Sequence, residues 1–202
     1  MDELLVAEII GTIAFALSGF YVAVKEKLDW LGVFIASFLT ALGGGIVRDN
    51  IADRAPYTFT HMLPTTLVIA VIALSIAFGL HHKNEIEKKF YFIISDTLGL
   101  VSFSISGALV GLHAGFNFFG VILLALLTAV GGGVMRDILL NRVPVLLTSE
   151  FYGTVALLVG TILFVLEKID LVGFVPLMAV FGFGVAVRLL AYYKQWQLPK
   201  IG

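Results

Sequence analysis

Seven apolar stretches follow one another along this chain, and each is close to the length that a helix needs to cross a membrane. A spanning helix requires about 20 mainly apolar residues. The stretches lie near residues 4–24, 30–50, 62–80, 91–111, 118–140, 151–167 and 171–193. Of the 202 residues, 59% are hydrophobic and only 13% are charged, about half the charged share of a typical soluble domain. We therefore predict an all-α integral membrane protein with seven transmembrane helices.

One sequence pattern occurs twice: three consecutive glycines followed, after two further residues, by an Arg-Asp pair. It lies at residues 43–49 and again at 131–137, an offset of 88 residues. The offset extends over residues 11–56, where 17 of 46 positions are identical without a gap. Apolar helices share scattered Leu or Val residues by chance, but a polar motif kept in register does not arise in that way. The chain is therefore predicted to contain an internal repeat.

The repeat unit holds three of the predicted helices, and this odd number determines how the two copies are related. After three crossings the chain is on the other side of the membrane, so the second copy enters from the opposite face. Such inverted repeats are common in transporters, whose sites lie between the two copies. We assign a single membrane domain, 1–202, with repeat one at about 4–82, repeat two at about 90–168 and the seventh helix at about 171–193.

The two glycine triplets lie near the middle of the second and fifth predicted helices. Each glycine costs about 1 kcal/mol relative to alanine inside a helix, so the triplets favour a kink or break. Freed backbone groups are tolerated at membrane depth only where they are buried in protein or line water. The residues expected to border a path are Gly43, Gly44, Gly45, Gly131, Gly132 and Gly133. The alternative is close packing of two helices, which small residues permit.

An Arg-Asp pair follows each triplet by about one helical turn, within the hydrocarbon region or at its edge. A lone charge at the membrane centre costs at least about 2.5 kcal/mol, and a neighbouring aspartate offsets that cost. In one interpretation, four residues line or gate an aqueous path: Arg48, Asp49, Arg136 and Asp137. In the other, each arginine reaches the interface and is merely paired with a nearby counterion there.

Six further polar residues form pairs at the 88-residue offset. They are Glu8 with Asp96, Ser18 with Ser106, and Thr40 with Thr128. The two acids stand at the start of the first and fourth predicted helices, where a carboxylate either attracts cations or favours the helix N-terminus. The hydroxyl groups either line a pore or bond only the carbonyl group one turn earlier.

Basic residues are distributed unequally between the two predicted sides of the membrane. Three are on the side of the N-terminus, namely Arg48, Arg54 and Lys168. Ten are on the other side, namely Lys25, Lys27, Lys83, Lys88, Lys89, Arg136, Arg142, Arg188, Lys194 and Lys200. Positive charge favours the cytoplasm, so the N-terminus is predicted to lie outside and the C-terminus in the cytoplasm.

Motifs for chemistry are not recognisable in the sequence. The chain has no cysteine, and its four histidines show no ligand spacing with carboxylates. No phosphate loop, nucleophile elbow or zinc helix is present. We therefore predict a protein that is not an enzyme, with no cofactor, no metal site and no nucleic-acid partner.

The doubled motif, in a seven-helix chain of 202 residues, resembles the prokaryotic TRIC channels, the trimeric intracellular cation channels, which overlap a group of glycine-transporter-like bacterial membrane proteins. The resemblance runs from Glu8 to about Tyr193. It implies a homotrimer in the prokaryotic plasma membrane, surrounded by membrane lipids, with one pore per subunit. It also implies permeation of the monovalent cations potassium and sodium, with potassium favoured, through a pore lined by the kinked second and fifth helices at their glycine triplets.

Two functions fit inverted repeats with interrupted helices. The first is a cation channel, which needs a continuous path. The second is a secondary transporter of a small zwitterion such as glycine, which needs a substrate site and alternating access. A scaffold whose glycines serve packing alone is a third, weaker interpretation. The sequence contains no recognisable amino-acid-binding constellation, and its symmetric glycines and sparse hydroxyls favour the channel.

Overall fold

The computed structural model describes residues 3–148 and 151–196, and these residues form a bundle of α-helices. Nine α-helices occur in this part of the chain: α1 (Glu3–Lys25), α2 (Trp30–Ile51), α3 (Tyr57–Thr60), α4 (Leu63–Ala77), α5 (Glu85–His113), α6 (Phe118–Leu139), α7 (Val145–Thr148), α8 (Tyr152–Lys168) and α9 (Phe174–Lys194). Five of them, α1, α2, α5, α6 and α9, are long and apolar enough to cross a membrane. Helix α4 has 15 residues and α8 has 17, so both are shorter than a typical spanning helix.

Helix boundaries differ from the predicted stretches mainly around the fourth stretch. The predicted stretches 62–80 and 91–111 leave a polar connection between them, but α5 already begins at Glu85. Asn84 caps this helix, because its side chain accepts a hydrogen bond from the backbone N–H of Glu87. Glu85 and Glu87 lie in the first turn, where negative charge is favoured. Local capping thus extends the helix into a polar segment that hydropathy alone excludes.

The ends of α2 and α6 follow the 88-residue offset. Asp29 accepts a hydrogen bond from the backbone N–H of Gly32 at 2.8 Å, and Asn117 accepts one from Gly120 at 2.9 Å. These side chains cap the starts of the two helices. The short helices α3 and α7, which hydropathy did not indicate, follow the same offset.

The centre of the bundle is formed by the two pairs of long helices that the offset relates. Helix α1 packs against α5, α2 packs against α6, and the pairs α1–α2 and α5–α6 are also in contact. A Cβ atom on Gly11 would overlap the ring of Phe103, and one on Gly99 would overlap the ring of Phe15. The two phenylalanine rings meet edge to face, with centroids 5.3 Å apart. Helix α9 packs on the outside of this centre, against α5 and α8.

Candidate functional site

The glycine triplets lie where α2 and α6 cross, and neither helix is interrupted there. Helix α2 continues through Gly43 to Gly45, and α6 continues through Gly131 to Gly133. Of the expected kink or break at each triplet, the break is therefore wrong, and the kink stays a prediction. Packing in the bundle supplies the stabilisation that the glycines lack as helix formers, because most helical stability in proteins comes from tertiary contacts.

Contact between the two helix backbones explains why glycine is needed at this crossing. A Cβ atom on Gly44 would overlap the carbonyl oxygen of Thr128, and a Cβ atom on Gly132 would overlap the carbonyl oxygen of Thr40. A Cβ atom on Gly131 would lie 3.2 Å from the Cα atom of Gly44. The alternative interpretation of the triplets, close packing of two helices, accounts for these positions.

The first and last glycines of the triplets differ in their surroundings. A Cβ atom on Gly43 would lie 2.9 Å from the sulfur of Met135 and 3.3 Å from the Cα atom of Gly132, so Gly43 also belongs to the crossing. A Cβ atom on Gly45 would meet only the guanidinium of Arg48, at 3.9 Å, and one on Gly133 only that of Arg136, at 3.8 Å. Gly45 and Gly133 therefore leave space beside the two arginines rather than between the helices.

Arg48 is buried within a cluster of polar side chains from α1, α2 and α5. Its residue is 2% exposed. The guanidinium donates to Asp49 Oδ1 through Nε at 2.9 Å and Nη2 at 2.7 Å, and Nη1 lies 2.7 Å from Glu8 Oε1. Nη1 also donates to the hydroxyl of Ser106. Arg48 is therefore neutralised inside the bundle, which contradicts the interpretation that it reaches the interface.

The two aspartates of the motif each join an arginine to the next short helix. The second carboxylate oxygen of Asp49 accepts a hydrogen bond from the backbone N–H of Tyr57 at 3.0 Å. That of Asp137 accepts one from Val145, also at 3.0 Å. These N–H groups begin α3 and α7, where helices have free donors. Each aspartate therefore ties the end of α2 or α6 to the following segment.

Arg136 in the second half has only part of the corresponding set of partners. Its Nε and Nη2 atoms pair with Asp137 Oδ1 at 2.9 and 2.8 Å. Among the described residues, however, its Nη1 atom is buried and has no hydrogen-bond partner. The residues that correspond to Glu8 and Ser106 are Asp96 and Ser18, and these two bond each other at 3.1 Å. The two halves thus use the same residues in different arrangements.

Asp96 lies inside its helix and not at its start. Helix α5 begins at Glu85, eleven residues earlier, so the interpretation of this carboxylate as a helix N-terminal group is wrong. Asp96 is 4% exposed. Its carboxylate interacts with the hydroxyl of Tyr152 and with the charges of Arg136 and Arg188. Glu8, by contrast, is partly exposed.

The two threonines use their hydroxyl groups within their own helices. Thr40 donates to the carbonyl of Ala36, and Thr128 donates to the carbonyl of Leu124, both at 2.6 Å. This is the local bond that the second interpretation of the hydroxyls describes. Both residues are fully buried.

Two residues that interact with Asp96 were not identified from the sequence. Tyr152 begins α8, and Arg188 lies in α9 with its guanidinium carbon 5.0 Å from the centre of the Tyr152 ring. Arg188 is 4% exposed, although the charge count treated it as a residue on the cytoplasmic side. An arginine inside the last apolar stretch was the available signal, since charges in a spanning segment usually face partners.

Buried arginines also change the charge count that predicts orientation. Arg48, Arg136 and Arg188 are all buried within the bundle. Leaving them out removes one of the three basic residues on the N-terminal side and two of the ten on the opposite side. Two against eight remain, of which Lys200 lies outside the described residues. The orientation stays a prediction, and the bias that supports it keeps its sign.

A small open cavity adjoins the Arg48 cluster. Its lining includes Glu8, Thr12, Gly45, Arg48, Tyr57 and Pro64. The space is sufficient for about one water molecule. Within residues 3–148 and 151–196, no group of three or more histidine or carboxylate side chains is placed to hold a metal ion.

Comparison with known proteins identifies the family. A family model described as Glycine transporter matches residues 5–82 and 93–168. A solved structure of a prokaryotic TRIC channel in 0.5 M KCl is 30% identical, with a TM-score of 0.88 over 96% of this chain and 98% of that one. A structure from work on conductance through TRIC cation channels is 34% identical, with a TM-score of 0.84 over 98% and 96% of the two chains. The chain belongs to the TRIC family.

A bacterial relative of this TRIC protein covers almost the same length. The UPF0126 membrane protein YvgT of Bacillus subtilis (strain 168) is 36% identical over 196 residues, which are 95% of this chain and 93% of the relative. The name of the relative and the apolar helices agree that the TRIC protein is an integral membrane protein.

Proposed function

We propose that this TRIC protein is a monovalent cation channel, permeable to potassium, with one path inside each subunit. The path runs between the two halves of the chain, beside the crossing of α2 and α6. Gly45 and Gly133 leave space along it, and the two Arg-Asp pairs lie on either side of the crossing. The similarity to TRIC cation channels supports this function.

The observation that carries the proposal is the buried polar cluster around Arg48. Charges inside a membrane protein are costly and mark ion paths or their partners. Glu8 and Asp49 carry two negative charges against the one positive charge of Arg48, so this group has a formal charge of −1. A net negative charge next to a water-sized cavity attracts cations and repels anions.

The architecture proposed for the path is seven spanning helices in two inverted copies, with α9 as the seventh. The reciprocal contacts support this arrangement, because Gly11 meets Phe103 as Gly99 meets Phe15. A two-fold axis generates such exchanged pairs. Helices α4 and α8 would cross the membrane despite their shorter length, with local thinning of the bilayer or water at their ends.

The proposed setting follows from charge and from the family. The basic residues outside the bundle favour an outer N-terminus and a cytoplasmic C-terminus in the plasma membrane of a prokaryote. We propose a homotrimer in contact with lipids, as the name of the family indicates, with potassium and sodium as permeant ions.

A secondary transporter of a small zwitterion is the second candidate. The family model carries the description Glycine transporter, and the Glu8–Arg48 pair offers one group of each charge beside the cavity. A carrier would bind the zwitterion there and expose it alternately to the two sides.

Recordings in a planar bilayer test the channel. Purified protein in a potassium chloride gradient is expected to give discrete unitary currents that reverse near the potassium equilibrium potential. Uptake of labelled glycine into proteoliposomes is measured in parallel. Saturable glycine uptake without unitary currents would instead establish the carrier. The absence of both signals would favour the scaffold.

A further inference from the structure

The two halves of the chain differ most at the cavity beside Glu8. In the first half this cavity is lined by Glu8, Thr12, Gly45, Arg48, Tyr57 and Pro64. The residues 88 positions later are Asp96, Leu100, Gly133, Arg136, Val145 and Tyr152. The acidic residue, the arginine and the glycine are therefore present in both halves. The polar Thr12 becomes Leu100, and the compact Pro64 becomes Tyr152.

Tyr152 is buried and stands at the position that corresponds to Pro64, which lines the first-half cavity. The offset holds in this region, since Val68 and Ala156 are both fully buried. In the first half, the cavity lies between Pro64 and Glu8. In the second half, a buried tyrosine stands at the Pro64 position, and its hydroxyl interacts with Asp96, the carboxylate at the Glu8 position. Tyr152 and Leu100 belong to the same buried core.

Arg188 also contacts this ring. Its guanidinium carbon lies 5.0 Å from the ring centroid, a distance at which cation and ring attract. Arg188 comes from α9, which follows the two copies and packs against α5 and α8. The seventh helix therefore makes the second half different from the first.

We propose that Tyr152, held by Arg188, is a gate residue that closes the second half of the path while the first half stays open to water. Opening moves the tyrosine ring out of its site and frees Asp96 from its hydroxyl. Asp96 then turns to the buried Nη1 atom of Arg136, which has no hydrogen-bond partner among the described residues. The second half thereby adopts the arrangement that Glu8 and Arg48 have in the first. The effect of this gate on ion flow rests on the proposed function, whereas the closure of the second half by Tyr152 does not.

Thiol labelling tests the closure without any measurement of current. The chain has no cysteine, so single cysteines are introduced at two corresponding positions, Thr12→Cys and Leu100→Cys. Because the cavity beside Thr12 admits only about one water molecule, the thiol reagent is the small silver ion, applied to both sides of proteoliposomes, and the thiols that remain unreacted are counted after denaturation. Thr12→Cys is expected to react, and Leu100→Cys is expected to react about tenfold faster once Tyr152→Ala is added, because labelling of an occluded thiol follows the population of the opened state. Equal rates for Leu100→Cys with and without Tyr152→Ala would overturn the proposal.

Two further variants keep the test decisive if Tyr152→Ala does not give a monodisperse protein. Arg188→Gln leaves the ring in place but removes its support, and it should also speed the labelling of Leu100→Cys. Pro64→Tyr should fill the first-half cavity and slow the labelling of Thr12→Cys. If neither rate changes, the tyrosine is not the closing element.

Bilayer recordings of the same proteins separate this inference from the proposed function. Tyr152→Ala is expected to raise the open probability above that of the unmodified chain. Currents that are identical in both proteins, with no difference in labelling, would reject the gate and retain the channel. A labelling difference without any current in either protein would retain the closure and reject the channel.

Discussion

Arg48 and Glu8 meet at 2.7 Å, with Arg48 near the C-terminal end of α2 and Glu8 near the N-terminal end of α1. The corresponding pair in the second half, Arg136 and Asp96, is not joined in this way. The pair in the first half connects α1 to the end of α2 and places a partly exposed carboxylate at a cavity. This asymmetry between related residues underlies the predictions that follow.

Removal of an aspartate from the buried pairs should destabilise the protein. Asp137→Asn leaves Arg136 with a buried charge that no second carboxylate contacts, and loss of one partner from such a pair costs about 3–5 kcal/mol. Asp49→Asn should cost less, because Glu8 still pairs with Arg48. Thermal melting in detergent measures both, with Thr40→Val as the control. Melting temperatures equal to that of the control would show that water reaches and solvates the arginines.

Alanine at the helix crossing should weaken packing between α2 and α6. Gly44→Ala forces a Cβ atom against the Thr128 carbonyl, and overpacking of this kind costs about 1–3 kcal/mol. Gly132→Ala should have the same effect from the other helix. Gly182→Ala in α9 is the matched control, since a Cβ atom there meets nothing within 4 Å. The measurement is the melting temperature together with the size-exclusion profile.

A selective effect on current, with unchanged stability in Gly44→Ala and Gly132→Ala, would contradict the packing role. The crossing would then have room for two methyl groups, and the triplets would act mainly on the path.

Neutralisation of Glu8 should reduce cation conductance. Glu8→Gln changes the formal charge of the Arg48 cluster from −1 to zero, while Asp49 still neutralises the arginine. We expect roughly a twofold fall in unitary conductance at about 0.1 M KCl and a smaller fall at about 1 M, because salt screens the attraction. Glu87→Gln, at the exposed start of α5, is the control. Equal unitary conductance of Glu8→Gln and the unmodified protein at low salt would show that the path does not pass Glu8.

A reporter fused after residue 202 should be cytoplasmic. Once the buried arginines are left out, two basic residues lie on the predicted outer side and eight on the predicted cytoplasmic side. A fluorescent protein that folds only in the cytoplasm and a phosphatase that is active only outside provide opposite signals. Phosphatase activity of the C-terminal fusion would contradict the predicted orientation.

Many residues of the candidate site were predictable because they recur in the second half of the chain at the 88-residue offset. The 88-residue offset selected Glu8, Asp96, Ser18, Ser106 and the Arg-Asp pairs, and the structure brings these side chains into two buried groups. Identity in sequence could not indicate which partner each one takes. Asp96 is one methylene shorter than glutamate, and a hydroxyl and a second arginine compete for it.

The glycine triplets show where local propensity leads to a wrong prediction. Three adjacent glycines destabilise an isolated helix, and on that basis a break was expected. In the structure both helices are continuous and approach each other closely at Gly44 and Gly132, and tertiary packing of this kind supplies most helical stability in proteins. Helix propensity is a local quantity, whereas this contact joins residues that are 88 positions apart.

The sequence by itself determined the membrane solvent, the helical class, the internal repeat and the family motif, because composition, hydropathy and spacing are properties of the chain alone. Only the tertiary structure decided that the helices stay continuous, that Arg48 is neutralised by Glu8, and that Tyr152 and Arg188 join the second cluster. These outcomes depend on which side chains meet across α1, α5, α8 and α9. Burial and charge pairing between distant residues arise only when the helices pack, and so no local pattern encodes them.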